Sequence, residues 1–251
     1  MLEEAIALSN QTAITFENPS RYNNSLKATF HRTLQDVAAL ASEPQDILEI
    51  GTFTGCVSLA LSKLRHRVVS TDIPFVIENP ELKKLLDREG ISSFAADLSN
   101  AKLPMPNDRF DWVVFNEVLE HLNFNPIPLL QEFWRILKPG GRVYCATPNL
   151  LSAKNRWRML RGLGYINPVS DLIMNLRPGT GMSVGLHWRE YSKMELVELF
   201  QAAGFIAESH KFGLIAPNSS GFPRKQLVAA MYRCFPQLMP NQVGMFQKPI
   251  L

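Results

Sequence analysis

The chain alternates short apolar runs with amphipathic stretches between residue 26 and about residue 147. The apolar runs have the length of buried strands and cover residues 46–50, 67–71, 91–96, 110–115 and 142–146. Hydrophobic positions recur at helical spacing over residues 26–41, 55–64, 81–89 and 126–137. This alternation predicts βαβ units, and therefore an α/β fold with a parallel sheet, right-handed crossovers and helices on the sheet faces.

The pattern changes after residue 150. Over residues 150–186 the periodicity weakens and glycine and proline become more frequent, which predicts an insertion that forms a lid over the strand ends. A helix over residues 192–203 follows, with Ser192 and Glu195 placed as a capping box. The remaining segments are predicted as a strand, a helix and a last strand, over residues 205–214, 224–235 and 243–247.

The composition indicates one compact unit. The 251 residues, 46% of them hydrophobic, predict a single domain over residues 1–251 with an N-terminal helical segment at 1–42. The net charge of +3 arises from 26 basic and 23 acidic residues, too even a balance to indicate a nucleic-acid partner. Three cysteines without C-x-x-C spacing suggest neither a disulfide framework nor a zinc cluster. With no basic leader and no apolar run of about 18 residues, we expect a cytoplasmic protein.

Polar residues follow the ends of four predicted strands. They are Glu49, Asp72, Asp97 and the pair Asn116-Glu117. The carboxyl ends of parallel strands meet at one edge of the sheet, which is where open α/β sheets bind ligands. Gly51 and Gly55 would allow backbone to approach such a ligand closely. Asp72 can accept both hydroxyls of a ribose and Asp97 can accept from an adenine amine, so the predicted ligand contains adenosine.

The turn after the first strand argues against a dinucleotide. A pyrophosphate prefers G-x-G-x-x-G, and here Phe53 occupies the position of the middle glycine. Glu49 would repel phosphate and attract a cation or an amine. S-adenosylmethionine, which carries a sulfonium and an amino acid in place of phosphates, fits better. Two other classes stay open: a nucleotide-dependent oxidoreductase, which Phe53 and Glu49 disfavour, and a binding protein that keeps the fold without turnover.

Five segments match the motifs of a known family in order and spacing. They are residues 47–55, 68–72, 95–98, 110–122 and 135–141. With them the chain resembles the class I S-adenosylmethionine-dependent methyltransferases, and residues 117–121 and 187–192 look most like the ubiquinone-biosynthesis O-methyltransferase type. Phe53 departs from the family, in which many members have glycine. The resemblance implies a Rossmann-like, doubly wound, mostly parallel seven-stranded sheet with an antiparallel last strand and a helical insertion after strand five.

The resemblance also implies a site for S-adenosylmethionine, with S-adenosylhomocysteine as the product. Its cofactor-binding residues would be Glu49, Gly51, Thr52, Gly55, Asp72, Ile73, Asp97, Leu98, Asn116 and Glu117. Glu49 would line the methionine portion, Asp72 the ribose and Asp97 the adenine. Asn116 would lie at the mouth beside the sulfonium. The structural alternatives are that the glycines serve turn geometry only and that Asp97 caps a helix.

Glu117, Glu120, His121 and His187 raise a further possibility. Two carboxylates and two imidazoles suit a divalent metal. The set is similar to one that small-RNA terminal 2′-O-methyltransferases use, with magnesium or a related ion, to hold a ribose diol. A second reading makes His121 or His187 the catalytic base on a substrate hydroxyl. The structural alternative is that Glu120 and His121 cap or solvate the following loop and that His187 binds backbone.

The family implies in-line methyl transfer, and we expect oxygen rather than carbon or nitrogen as the acceptor atom. The acceptor is expected to be a small molecule, a glycan or a lipid-like intermediate. Residues 154–161 hold four basic residues and Trp157, an amphipathic pattern that suits an anionic membrane or an acidic substrate. The alternative is a solvated helix packed on the domain. The sequence indicates neither the acceptor's identity nor the oligomeric state.

Overall fold

The computed structural model describes residues 1–12, 18–174, 186–213 and 222–250. Its strands are β1 Asp46–Ile50, β2 Arg67–Asp72, β3 Ser92–Ala95, β4 Phe110–Asn116, β5 Leu137–Pro148, β6 Ile206–Gly213 and β7 Asn241–Gln247. Its α-helices are α1 Leu2–Ser9, α2 Pro19–Leu40, α3 Cys56–Lys63, α4 Pro74–Ile77, α5 Pro80–Arg88, α6 Ile127–Ile136, α7 Ala153–Leu160, α8 Val169–Met174, α9 Lys193–Ala202 and α10 Phe222–Cys234. Short 3₁₀ turns lie at Leu98–Asn100, Leu119–His121 and Pro236–Leu238.

The seven strands form one sheet in the order β3-β2-β1-β4-β5-β7-β6. Strands β1 to β5 run parallel to one another, and β7 is antiparallel to both β5 and β6. This topology confirms the predicted mostly parallel, doubly wound sheet with its antiparallel last strand. Ile50 pairs with Thr71 and Phe115, and Asp72 pairs with Ala95. The carboxyl ends of β1 to β4 therefore lie at one edge.

Helices cover both faces of the sheet. On one face α1, α2, α3 and α5 pack their apolar residues against the strands, and α6 and α9 do so on the other. In α2, the buried residues Phe30, Leu34 and Val37 recur at helical spacing. β1 is buried along its whole length. A central strand covered on both faces is the reason why the sequence shows continuous apolar runs rather than alternation.

Some boundaries differ from the predicted ones. α2 begins at Pro19, earlier than predicted, because Asn18 caps it and proline fits the first helical turn. α6 ends at Ile136, so Pro139-Gly140-Gly141 lies inside β5 rather than stopping the helix directly. Pro139 restricts the residue before it to an extended backbone, which ends the helix ahead of the motif. The short helix α4 has no counterpart in the predicted pattern.

The predicted insertion after β5 contains α7 and α8. Its residues 175–185, and Leu214 at the predicted end of the sixth strand, lie outside the described residues. Trp157 and Leu160 on α7 are 62% and 81% exposed, so these apolar side chains are not packed on the domain. Within the described ranges, no helix is both long and apolar enough to cross a bilayer.

Candidate functional site

The turn after β1 presents backbone at the carboxyl edge of the sheet. Gly51 has a φ of +82°, and a Cβ at this position would clash with Val118 Cγ2, so only glycine fits. Gly55 has a φ of 76° and forms the N-cap of α3. Phe53 also has a positive φ, 43°, although it is not a glycine. The turn therefore keeps the backbone path of a glycine-rich motif while adding one aromatic ring.

Asp72, at the end of β2, holds this turn in place. Its Oδ2 accepts from the N–H of Phe53 at 2.8 Å, and its Oδ1 accepts from the N–H of Ile73 at 2.7 Å. Burial raises the pKa of Asp72 to about 6. Each carboxylate oxygen has a second lone pair, so Asp72 can still accept hydrogen bonds from a ligand.

Glu49, in β1, is buried beneath the turn with 3% of its surface exposed. The hydroxyl of Ser58 on α3 donates to its carboxyl group. Burial raises the pKa of Glu49 to about 8, and the charge of Asp72 adds to the rise. Glu49 is therefore mostly protonated near pH 7 and can become a carboxylate when a cation approaches.

Helix α2 covers this edge of the sheet. The ring of Tyr22 packs against the ring of Phe53, with 4.4 Å between their centroids. Thr33 Oγ1 accepts from Asn116 Nδ2 at 3.1 Å. The other amide atom, Asn116 Oδ1, is buried and has no hydrogen-bond partner among the described residues. The cavity that Tyr22, Phe53 and Asn116 line together with Glu49 has a volume of only about 10 Å³.

The remaining predicted cofactor residues lie farther along the same edge or serve the turn. The hydroxyl of Thr52 donates to the carbonyl of Thr71 at 3.2 Å. Asp97 is exposed, and its Oδ1 accepts from the N–H and the hydroxyl of Ser99 at 3.0 and 2.6 Å. Asp97 thus caps the 3₁₀ turn that contains Leu98. Neither Asp97 nor Leu98 lines the cavity beneath Tyr22.

Glu120, His121 and His187 lie together beyond the end of β4. Each offers a ligand atom for a metal ion, and these atoms lie within 4.8 Å of one another. The two imidazole rings have centroids 4.9 Å apart. Glu120 is completely buried, with Oε2 accepting from the hydroxyl of Thr147 at 2.9 Å. Glu120 therefore does not solvate the following loop, contrary to the structural alternative.

Burial shifts the charge states in this cluster. It raises the pKa of Glu120 to about 7 and lowers the pKa of His121 to about 4. For Glu117, burial and the charge of Glu120 raise the pKa, whereas the charge of His187 lowers it. Glu117 has a φ of 52°, and its Oε1 accepts from Asn241 Nδ2 at 3.1 Å. A non-glycine residue held in this backbone region is typical of functional sites.

Several groups of the site were missed from the sequence. Tyr22, Ser58 and Asn241 come from segments that carry no motif, and only the fold brings them to this edge. Glu190 did have a local signal, because it follows His187 by three residues. Its Oε1 lies 3.1 Å from His187 Nδ1.

The known proteins that this chain resembles are methyltransferases. A family model described as a methyltransferase domain matches residues 22–210. A ubiquinone biosynthesis O-methyltransferase of Cereibacter sphaeroides is 31% identical over 53% of this chain and 53% of its own length. A ubiquinone/menaquinone biosynthesis C-methyltransferase of Desulfotalea psychrophila is 27% identical over 70% of this chain and 72% of its own. For several curated relatives, the chain spans only about a quarter to a half of their length.

Solved structures share the fold. The 1,6-didemethyltoxoflavin-N1-methyltransferase of Burkholderia thailandensis, solved with bound S-adenosylhomocysteine, superimposes with a TM-score of 0.62 at 17% identity. The match covers 99% of this chain and 91% of that chain. At this identity the likeness concerns the architecture, not the substrate.

Proposed function

The chain belongs to the class I S-adenosylmethionine-dependent methyltransferases, and on this premise we propose that it methylates a hydroxyl oxygen of a small-molecule, glycan or lipid-like acceptor. S-adenosylmethionine supplies a methyl group on a sulfonium, which transfers by in-line displacement and leaves S-adenosylhomocysteine. The protein's own task is to hold the reactants in line and to exclude water. The observation that carries the proposal is the convergence of Glu49, Asp72 and the unpartnered Asn116 Oδ1 at one sheet edge.

The residues present fit that cofactor. Asn116 Oδ1 is a buried acceptor without a donor among the described residues, which an amine can satisfy. Glu49 can take up a negative charge next to a cationic group. Asp72 keeps lone pairs for ribose hydroxyls. We assign the adenine to the surface near Asp97 and Leu98, where β3 ends.

The preference for oxygen rests on the cluster beyond β4. An acceptor hydroxyl has to lose its proton during transfer, and a group poised to take that proton helps it more than it helps a neutral amine. Burial lowers the pKa of His121 to about 4, so its imidazole is neutral and can accept a hydrogen bond from the hydroxyl, although it is a weak base. We therefore assign the uptake of the proton to His187, whose ring lies beside that of His121. The similarity to a ubiquinone biosynthesis O-methyltransferase supports the same choice.

Calorimetry with S-adenosylhomocysteine tests the cofactor assignment. The wild type should bind it, and Asp72→Asn should weaken binding by roughly 10-fold to 100-fold, because one ionised acceptor is replaced by a neutral amide. Asp87→Asn is the matched control, since Asp87 is exposed on α5. Absence of binding by the wild type, or equal affinity in Asp72→Asn, contradicts the assignment. Titration with NAD in parallel should give no heat of binding.

The acceptor atom is tested with matched compounds that carry a hydroxyl, an amine or a thiol at the same position. We expect methylation of the hydroxyl compound, detected by mass spectrometry, and slower turnover in His121→Ala at unchanged S-adenosylhomocysteine affinity. Preferential methylation of the amine would show that oxygen is the wrong choice, while leaving the cofactor assignment intact.

A further inference from the structure

The geometry points to a divalent metal site formed by Glu120, His121 and His187, which would bind a transition ion rather than magnesium. The three ligand atoms already lie within 4.8 Å of one another. His121 Nε2 lies 3.9 Å from Glu120 Oε1. Ligand atoms sit about 2.1 Å from such an ion, so binding would draw these side chains together by about 1 Å. Of the four residues singled out in the sequence, the structure thus groups three closely.

In both imidazoles Nδ1 has a hydrogen-bond partner, which leaves Nε2 as the possible ligand atom. His121 Nδ1 lies 2.8 Å from the carbonyl oxygen of Leu186, which can only accept a hydrogen bond. His187 Nδ1 lies 3.1 Å from the carboxylate Oε1 of Glu190. In each ring Nδ1 therefore carries the hydrogen and Nε2 is unprotonated in the neutral form. This is the tautomer, and the type of outer partner, that metal-binding histidines have.

The carboxylate ligand is equally well placed. Glu120 is completely buried, and its Oε1 has no hydrogen-bond partner among the described residues. A buried carboxylate oxygen without a partner is costly, and a cation beside it removes that cost. Its other oxygen accepts from Thr147 at 2.9 Å, which fixes the orientation of the group.

A network of hydrogen bonds holds the ligands in position. The backbone carbonyl of Glu120 accepts from the N–H of Trp188 at 2.7 Å, which ties the segment of His187 to that of Glu120. Glu190 Oε2 accepts from Asn155 Nδ2 at 2.6 Å, and Glu190 in turn orients His187. Asn155 and Glu190 are therefore positioning residues that α7 and the segment before α9 contribute to the site.

The donor set decides the kind of metal. Two imidazoles and one carboxylate suit zinc, manganese, iron or cobalt in the divalent state, whereas magnesium prefers oxygen ligands. Three protein ligands leave coordination positions open for an oxygen of the acceptor. The use of the site in catalysis rests on the proposed methyl transfer, whereas the binding of the ion does not.

In methyl transfer, the ion would act on the acceptor hydroxyl in place of a histidine base, because an imidazole whose Nε2 binds the ion cannot take up a proton. A cation bound to the oxygen would lower the pKa of the hydroxyl, so that its proton leaves to solvent. The oxygen then forms a bond to the methyl carbon, the carbon–sulfur bond breaks, and its electron pair stays on sulfur. No oxidation or reduction takes place.

Cobalt(II) titration of the metal-free protein tests the site directly, because visible absorption bands report coordination by imidazole. We expect one equivalent to bind. The variants His121→Ala, His187→Ala and Glu120→Gln should each weaken binding by at least about 100-fold, and Glu190→Gln by about 10-fold to 100-fold. His31→Ala, which removes an exposed histidine on α2, should bind like the wild type. Zinc should displace cobalt, and excess magnesium should not.

Affinity for S-adenosylhomocysteine, measured on the same samples, shows whether each variant is folded and separates the two proposals. Loss of the cobalt bands with retained nucleoside binding supports the metal site. Absence of the bands in wild type that binds S-adenosylhomocysteine refutes the metal site alone. Equal weakening by His31→Ala and His121→Ala also refutes it. Should an alanine variant fail to fold, Glu190→Gln, which keeps the size of the side chain, decides in its place.

Discussion

At the scale of single residues, two carboxyl groups at the carboxyl edge of the sheet, where β1 to β4 end, have a charge that depends on their surroundings. Glu49 has a pKa raised to about 8 and Asp72 one raised to about 6, in both cases mainly through burial. The sequence placed these acids at strand ends correctly. It could not give their protonation state, because that state depends on burial and on partners such as Ser58, which belongs to another element.

The raised pKa of Glu49 predicts a pH-dependent affinity for S-adenosylhomocysteine. In the free protein Glu49 holds its proton up to about pH 8, well above its ordinary value of 4.5. Because the ligand's ammonium group favours the carboxylate, binding releases a proton. Affinity should rise by up to about 10-fold per pH unit between pH 6 and 8 and then level off.

Calorimetry in two buffers with different ionisation enthalpies measures the released proton. Glu49→Gln should bind more weakly at pH 8 and lose the pH dependence in this window. The window lies above the pKa of about 6 of Asp72, so that group contributes little to it. An affinity that stays constant between pH 6 and 8 in the wild type would show that Glu49 does not change its charge on binding.

At the scale of elements, α7 presents both apolar and basic side chains to solvent. Trp157 and Leu160 are mostly exposed, and Lys154, Arg156 and Arg161 on the same segment are exposed as well. Asn155, by contrast, is buried and bonded to Glu190. α7 is therefore anchored to the cluster beyond β4 on one side and presents basic and apolar side chains on the other, as a helix that lies in a membrane interface does.

We propose that α7 contacts anionic lipid surfaces. In co-sedimentation, the protein should bind vesicles that contain phosphatidylglycerol and not vesicles of phosphatidylcholine alone. The double variant Trp157→Ser, Leu160→Ser should lower the partition coefficient about 10-fold, because two apolar side chains are removed. Met194→Ser is the control, since Met194 is 80% exposed on α9. Equal binding to both vesicle types would count against the proposal.

Helix α2 could be predicted from the sequence only in part, because the predicted helix began at residue 26 and the helix begins at Pro19. Its sheet-facing stripe follows from Phe30, Leu34 and Val37, and the helix was predicted from that stripe. Its first turns, which carry Tyr22, lack an apolar stripe and were missed. Those turns pack against the carboxyl edge of the sheet, where Tyr22 contacts Phe53 in the turn after β1. This contact depends on the tertiary fold.

At the scale of the whole molecule, the succession of strands along the chain could be predicted because each buried strand is a continuous apolar run bounded by turn residues. The topology of the sheet was predicted from the family resemblance. Long-range polar contacts could not. Asn241 reaches Glu117 across 124 residues, and no local pattern marks such a pair. The acids at the strand ends could therefore be identified from the sequence. The residues that donate hydrogen bonds to them, such as Ser58 and Asn241, could not.

The opposite edge of the sheet carries an ion cluster that joins several strands. Asp46 is buried at the start of β1 and contacts Arg67 and Arg109 at 2.8 Å and Lys138 at 3.1 Å. Hydrogen bonds from Arg67 above all hold the pKa of Asp46 well below its ordinary value of 3.8. A lowered pKa stabilises the fold above pH 3.8, and this contribution is lost as the pH falls towards the folded-state value.

Asp46→Asn should therefore lower the free energy of unfolding by about 2 kcal/mol at pH 7, a figure reduced for the partial exposure of the basic partners. The difference from wild type should narrow below pH 3.8. Urea denaturation at several pH values measures both effects, with Glu43→Gln, at an exposed loop position, as the control. A difference that persists unchanged at pH 3 would contradict the ion-pair explanation.

The contact between Tyr22 and Phe53 has a thermodynamic consequence for ligand affinity. The cavity that these rings line has a volume of about 10 Å³, room for about one water molecule, so a ligand can enter it only after side chains that line it separate. The free energy of that separation is subtracted from the affinity of every ligand at this edge. A measured dissociation constant will thus understate the intrinsic strength of the bonds that Glu49, Asp72 and Asn116 can form, by a factor that the population of the open conformation sets.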